Sequence, residues 1–437
     1  MNSPIWKSVP LSSCIDKVID FRGKTPKKIG MEWGNGSIRA LSANNVKQGY
    51  IDFKRECYLA SEELYDAWMT KGDCSKGDIV FTMEAPLGNV ALIPDDNKYI
   101  LSQRVILLKP NESVLSEYLF HFMSSESFQN ELNANATGST AKGIKQTRLV
   151  KLKVTLPPAE EQQKIAEVLS TVDKKIDLID QKIAETEKLK TGLMQKLFSE
   201  GVGVQDENGE WQSHTEFRTT SIGQVPKTWQ DAQIGDYVSE LVSGVSVNSY
   251  DKQKTENEIG VLKTSAVIGG NFYPEFHKTV KPEDIARAKT TVKENTLVIS
   301  RMNTPSLVGE FGYVSKDYND LYLPDRLWMT VPTSKPHDVK ALSYLMQHYP
   351  VKKSIKELAT GTSNSMKNIS KGKFLAVYVP HIPYEEQMMI REILSTVDIK
   401  LELLNKQKAE TQQLKKGLMQ KLLTGEWRVP VEETEAA

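Results

Sequence analysis

The residue types that could carry chemistry are present but scattered. Six histidines, His121, His214, His277, His337, His348 and His381, show no metal-ligand spacing. Cys14, Cys57 and Cys74 are an odd number with no CxxC pair, so they read as free thiols rather than a zinc site or a disulfide framework. Gly23-Lys24-Thr25 has the ending of a phosphate-binding loop, but the glycine that such a loop requires upstream is Val18. Asp325–Arg326 lacks the second acid and the lysine of a nuclease site. No glycine-rich loop follows a strand pattern, so no nucleotide or S-adenosylmethionine site is indicated. A chain of 437 residues without any of these reads as a binder rather than an enzyme.

Local charge is more informative. Residues 141–153 hold Lys142, Lys145, Arg148, Lys151 and Lys153 and no acid. Residues 352–373 hold Lys352, Lys353, Lys356, Lys367, Lys371 and Lys373 against Glu357 alone. Each run adjoins a Thr/Gly/Ser turn, whose hydroxyls and amides suit phosphate contacts. A third run, Arg22, Lys24, Lys27 and Lys28, lies near the start. One such run is usually a solvated face. Two at matching places in two halves of a chain point to nucleic acid. The net charge of +0, from 56 basic and 56 acidic residues, argues against a free-standing basic DNA-binding protein. It allows local contact with charge borrowed from a partner.

The elements that position these runs form a repeat. Glu160–Leu197 and Glu385–Leu422 align at an offset of 225, with 23 of 38 positions identical. Both read as helix. Leu169, Val172, Ile176, Ile179, Ile183 and Thr186 step by three and four, as do Ile390, Leu394, Val397, Leu401 and Leu404, followed by Leu414, Leu418 and Leu422. That is a narrow coiled-coil seam. Prolines and Glu160–Glu161 or Glu385–Glu386 mark the entries, and Gly201 or Gly425 the exits. Each helix would be roughly 55–60 Å long. It needs a partner for its seam, and the obvious partner is its own copy.

The regions before the helices share a skeleton and little else. Trp6 matches Trp229, Ser42 matches Ser265, Arg104 matches Arg326, and Thr137–Gly138 matches Thr360–Gly361. Short apolar runs bounded by Gly, Asn or Pro predict strands, and SEYLFHFMSSESFQNEL predicts helix. The divisions are 1–157, a first mixed α/β domain; 158–200, a central long helix; 201–224, a linker without periodicity; 225–382, a second domain; 383–425, a C-terminal long helix; and 426–437, an acidic tail expected to be disordered. No apolar run approaches a membrane span and no leader is evident, so a cytoplasmic protein is expected.

This layout resembles the specificity (S) subunit of type I restriction–modification enzymes. The resemblance is carried by LPPAEEQQKIAEVLSTVDKKIDLID, HIPYEEQMMIREILSTVDIKLELLN, the pair LKTGLMQKLF and LKKGLMQKLL, and TEFRTTSIGQVPKTWQ. It implies an α+β fold: two mixed α/β target-recognition domains separated by two long antiparallel helices forming a coiled coil, with an internal pseudo-two-fold repeat. Each domain would read one half of a bipartite, gapped site in double-stranded DNA. The helices would set the spacing and dock two methyltransferase subunits, with restriction subunits adding translocation and cleavage. Cofactors (S-adenosylmethionine, ATP and Mg) would belong to those partners and none to this chain. From position and chemistry, the candidate DNA contacts are Arg22, Lys24, Asn44, Asn45, Arg104, Lys142 and Lys145 in the first domain. In the second they are Lys263, Arg301, Asn303, Arg326, Ser363, Asn364 and Lys367. A coiled-coil adaptor joining two protein partners, or an orphan DNA-binding regulator on the same scaffold, would also fit the repeat.

Overall fold

A computed structural model describes residues 6–138, 141–361 and 366–430. The chain forms two compact units, residues 1–181 with 405–437, and 182–404. The division falls inside the long helices, Ala159–Ser199 and Tyr384–Leu422. Each unit thus joins one sheet domain to the near half of one helix and the far half of the other.

In the first unit, strand Ile79–Met83 is buried along its whole length, because both faces of its sheet are covered. It pairs antiparallel with Leu87–Leu92 and with Val105–Pro110, which pairs in turn with Ile15–Asp20. Ile79, Phe81, Met83, Ile106 and Leu108 point into one core with Tyr118, Phe122 and Phe128 of helices Ser116–Ser124 and Glu126–Ala134. Ile165, Leu169 and Leu422 of the long helices, with Leu423 just past the second, close that core. Val80, Val105 and Leu107 point the other way, into a second core with Trp68, Ile100 and Leu101. The period of two along each strand divides these sets. A smaller sheet places Ile38–Leu41 antiparallel to Leu59–Ala60 and parallel to Tyr99–Leu101. Lys7–Pro10 pairs with Lys153–Leu156, so the domain's first strand holds its last strand just before the long helix.

The second unit repeats this plan. Val238–Ser243, Leu327–Pro332, Thr296–Ser300 and Phe311–Val314 follow the same order, and the outer pair carries a register shift near its start in both units. Gly260–Leu262 runs parallel to Tyr318–Tyr322, and Gln230–Gln233 pairs with Tyr378–His381. The parallel registers, Ala40 beside Ile100 and Val261 beside Tyr322, put Lys263 rather than Ser265 in the place of Ser42. A shared serine letter did not mark the register.

The two long helices meet within each unit. In the first, Lys415 pairs with Asp173 and Lys408 with Asp180, both at 2.5 Å. Seven residues forward on one helix meet seven backward on the other, so these halves run antiparallel. In the second unit Lys190 reaches Asp398 at 2.6 Å. Leu169, Ile179, Leu394 and Val397 are buried, whereas Val172, Ile176, Ile183, Leu401 and Leu404 are half-buried. Leu414, expected in the seam, is 53% exposed, and its copy Leu189 is 52% exposed. The three-and-four stepping continues instead through Thr186, Lys190 and Leu193, and through Lys408, Thr411 and Lys415. Both threonines are buried there, at 4% and 5% exposure. Polar seam residues of this kind fix register at some cost in stability.

The segment after each helix also differs from expectation. Residues 204–226, within or beside the expected linker, form two short hairpins. Of residues 426–437, expected to be disordered, 431–437 lie outside the described residues and Glu426–Pro430 is ordered: Gly425 turns the chain at φ +77°, and Arg428 donates to the buried Glu161 at 2.7 Å. Trp6 Nε1 donates to the same carboxylate at 3.3 Å. Its copy, Glu386, is 1% exposed and accepts from Trp229 Nε1 at 2.7 Å and from the Val202 amide at 2.7 Å. Among the described residues no helix is long and apolar enough to cross a membrane.

Candidate nucleic-acid interface

Three stretches far apart in sequence meet at one end of each sheet. In the first unit the Met83 N–H donates to the Arg104 carbonyl at 2.8 Å, and the Met83 carbonyl accepts from the Ile144 N–H at 3.1 Å. Thr137 and Gly143 exchange backbone hydrogen bonds of 2.8 and 2.9 Å, closing the base of the Thr/Gly turn. Gly143 also bridges to Glu84. The hairpin tip Glu84–Pro86, the strand entry at Arg104 and the polar turn therefore share one site.

The second unit builds the same junction from different letters. The Arg301 N–H donates to the Arg326 carbonyl at 3.1 Å, and the Arg301 carbonyl accepts from the Ile369 N–H at 2.9 Å. Thr360 and Asn368 exchange two bonds of 2.9 Å. Met302 and Asn303 pair with Asn368 and Lys367. Arg104 thus corresponds to Arg326, Lys142 to Lys367, and Glu84 to Met302.

Beside the first junction lies a cavity of about 270 Å³, lined by Ser42, Asn44, Lys47, Gln103, Arg104 and the Ala85–Pro86 turn. Asn44, Gln103, Arg104, Lys142 and Lys145 are exposed. Arg104 sits in the left-handed region at φ +68°, uncommon for a residue with a side chain and frequent at binding sites. It stands 3.5 Å from Glu84, both side chains being 49% exposed.

The remaining candidates divide by what already holds them. Arg22 clamps Asp20 at 2.6 Å. Burial pushes that carboxyl up, but the Arg22 hydrogen bonds and charge outweigh it and hold it below its ordinary value. Lys24 donates to the carbonyls of Ala67 and Trp68 at 2.9 and 3.0 Å. Partial burial, then the neighbouring Lys71 charge, lowers its pKa. Asn45 is 2% exposed, and its amide is engaged by Ser42 Oγ at 2.9 Å, so its side chain holds the loop and Asn44 is the exposed member. Lys263 pairs with Asp251 at 3.1 Å, and Arg301 Nε donates to the Asp325 carbonyl at 2.8 Å. Asn303 accepts from the Thr304 N–H at 2.8 Å, leaving Thr304–Ser306 as the exposed part of its tip. Lys367 donates to the Gly361 carbonyl at 2.6 Å. Ser363 and Asn364 lie outside the described residues.

Part of the second basic run is neutralised from a distance. Lys352 and Lys356 pair with Glu310 at 2.9 and 3.3 Å. Burial raises the Glu310 pKa, but the Gly269 N–H and Lys352 outweigh it, and the net shift is downward. The run's composition gave no sign of this partner. The composition gives no sign of Lys47 either, which only the fold brings beside Gln103 and Arg104.

The sequence profile described as "Type I restriction modification DNA specificity domain" matches residues 6–188 and again 226–413. The MjaVIII type I restriction enzyme specificity subunit of Methanocaldococcus jannaschii is 28% identical over 408 residues, covering 90% of each chain. A second chain of that organism, designated MjaX, is 29% identical over 397 residues, covering 88% of this chain and 86% of its own. The crystal structure of a type I restriction–modification S subunit from M. genitalium superposes with a TM-score of 0.57 at 15% identity, over 97% of both chains. A chain from a structural study of type I complex assembly gives 0.55 at 17% identity, over 98% of this chain and all of its own. At those identities the likeness speaks for the fold.

Proposed function

Because the chain belongs to the type I restriction–modification DNA specificity family, we propose that its two junctions read the two halves of a gapped DNA site for a methyltransferase and endonuclease complex. The observation that carries this reading is the matched pair of junctions. Arg104 and Lys142 in one unit have counterparts in Arg326 and Lys367 of the other, while the hairpin tips beside them differ. Phosphates are the same in every half-site and bases are not. Shared cations with unlike tips are what two different half-sites on one scaffold require.

The chain's own part is recognition, and the chemistry belongs to partners. Two long helices paired as an antiparallel coiled coil would act as the spacer. A rod of roughly 55–60 Å covers about 16–18 base pairs at 3.4 Å per step. The helices' outer faces support docking of two equal subunits. Leu178 and Leu403, related by the offset of 225, are 56% and 62% exposed. Exposed leucines at repeated positions suit two copies of one partner. Methyltransferase subunits dock there and methylate adenine with their own S-adenosylmethionine. Restriction subunits supply ATP-driven translocation and cleavage.

The test is a methylome comparison of cells with and without the gene. Loss of N6-methyladenine at one bipartite, gapped motif is expected, and an unchanged methylome sinks the reading. Replacing residues 1–157 with those of a relative should then change one half of the motif alone.

A further inference from the structure

The geometry points to Glu84 as a specificity-determining residue, one that reads a cytosine through its N4 amino group in the half-site of the first unit. This rests on the DNA-reading assignment above. Glu84 directly precedes the Ala85–Pro86 turn that lines the cavity, bridges to Gly143 beside Lys142, and stands against Arg104, while the lining itself holds Lys47 and Arg104 and no acid. An exposed carboxylate facing a polyanion is unfavourable unless it accepts a hydrogen bond there. The counterpart in the second unit is Met302, uncharged, while both flanking cations are kept. The charge at this position thus differs between the junctions, as a base-reading residue must.

Its placement suits the task. Glu84 is exposed at a hairpin tip, directly after a buried strand that fixes the backbone. Gly143 packs against its stem: a methyl group at 143 would lie 3.2 Å from Glu84 Cβ. Among the described residues the carboxylate pairs with Arg104 at 3.5 Å, a half-exposed and weak contact, so either partner can turn to a ligand. Ionised Glu only accepts. In the major groove the exposed amino donors are cytosine N4 and adenine N6. Adenine N6 lies between two acceptors, its own N7 and the thymine O4 opposite, which repel a carboxylate's second oxygen, whereas cytosine N4 has one, the guanine O6 opposite, and C5–H on its other side. Cytosine is the base this side chain fits.

The experiment is selection from a randomised duplex library by the full chain purified with its methyltransferase subunits, comparing wild type, E84A and E84Q. If the wild type selects no gapped motif, the DNA-reading assignment itself fails. If it does, E84A should lose preference at one cytosine of one half-site by roughly 5- to 150-fold. The other half-site should be unchanged. Glu84→Gln, which keeps the shape and gains a donor, should shift that position from cytosine toward adenine. An E84A motif identical to wild type overturns the proposal. So does relaxation at a base other than cytosine, which would leave Glu84 reading a different base, or loss of a whole half-site or of all DNA selection, which would make Glu84 structural.

Discussion

Asp173 receives Lys415 at 2.5 Å, and 225 positions away the same two residue types meet again, with Asp398 receiving Lys190 at 2.6 Å. Each lysine stands where the three-and-four stepping would put an apolar seam residue. Charge at such a place selects one register. Reversing one member, Asp173→Lys, sets two lysines face to face and should destabilise the first unit. Adding Lys415→Asp should recover most of the loss. With side chains 21% and 31% exposed, a coupling of about 0.5–1 kcal/mol is expected. Urea unfolding of the four proteins measures it, and additive singles would remove the register role.

The same acids meet different groups from the sheet domains. Tyr344 donates to Asp398 at 2.6 Å, whereas its counterpart His121 stands 3.9 Å from Asp173 and its Nδ1 has no hydrogen bond. Burial, then the nearby Lys415 charge, pushes the His121 pKa down to about 3, and burial alone takes His348 to about 4. Both rings are neutral when folded, while the unfolded chain protonates near 6.5. Stability from these groups is full above that value and falls as pH drops toward 4, by up to about 1.4 kcal/mol per unit for each ring. Substituting Tyr for His121 should flatten this fall in thermal melts between pH 4 and 6.5. An unchanged profile would show that the buried imidazole is not its source.

The repeat and the plan of each domain were legible because they are written in spacing and in matched letters. Trp6 with Trp229 and Arg104 with Arg326 hold matching places through Glu161, Glu386 and the strand-entry carbonyls. What could not be read depended on distant partners. Glu310 is 42 residues from Lys352, and nothing in the basic run betrays that the two are paired. Leu414 looked like a seam residue by its side chain, but the stepping favoured Lys415, and stepping decides which side of a helix faces its neighbour. The ordered Arg428 depends on a buried carboxylate 267 residues earlier. Lys47 and Glu84 join the candidate interface only through strand register and hairpin placement.

Glu386 should be the more costly of the two helix-start acids to remove. It is 1% exposed and accepts from Trp229, from the Val202 and Gly203 amides and from His214. Replacing it with Ala leaves several buried donors without an acceptor and should cost about 3–5 kcal/mol. Glu161→Ala frees Arg428, whose side chain is 37% exposed and can turn to water. A loss of about 1–2 kcal/mol is expected there. Guanidinium unfolding midpoints test the order, and equal losses would contradict it.

Arg104 and Arg326 share a place in the two junctions while the tips beside them differ, which suits phosphate rather than base contact, and the proposed DNA reading predicts that role for both. Each phosphate neutralised releases counterions, and the slope of log Kobs against log salt falls by about 0.9 for each contact removed. The double variant R104A/R326A should lower that slope by about 1.8. It should weaken binding to cognate and unrelated duplexes by the same factor, because a phosphate contact carries no sequence information. The selected motif should stay the same at every position. Binding isotherms at four salt concentrations, on a cognate and a scrambled duplex, give both quantities. A loss confined to the cognate duplex would move these arginines from the backbone to the bases.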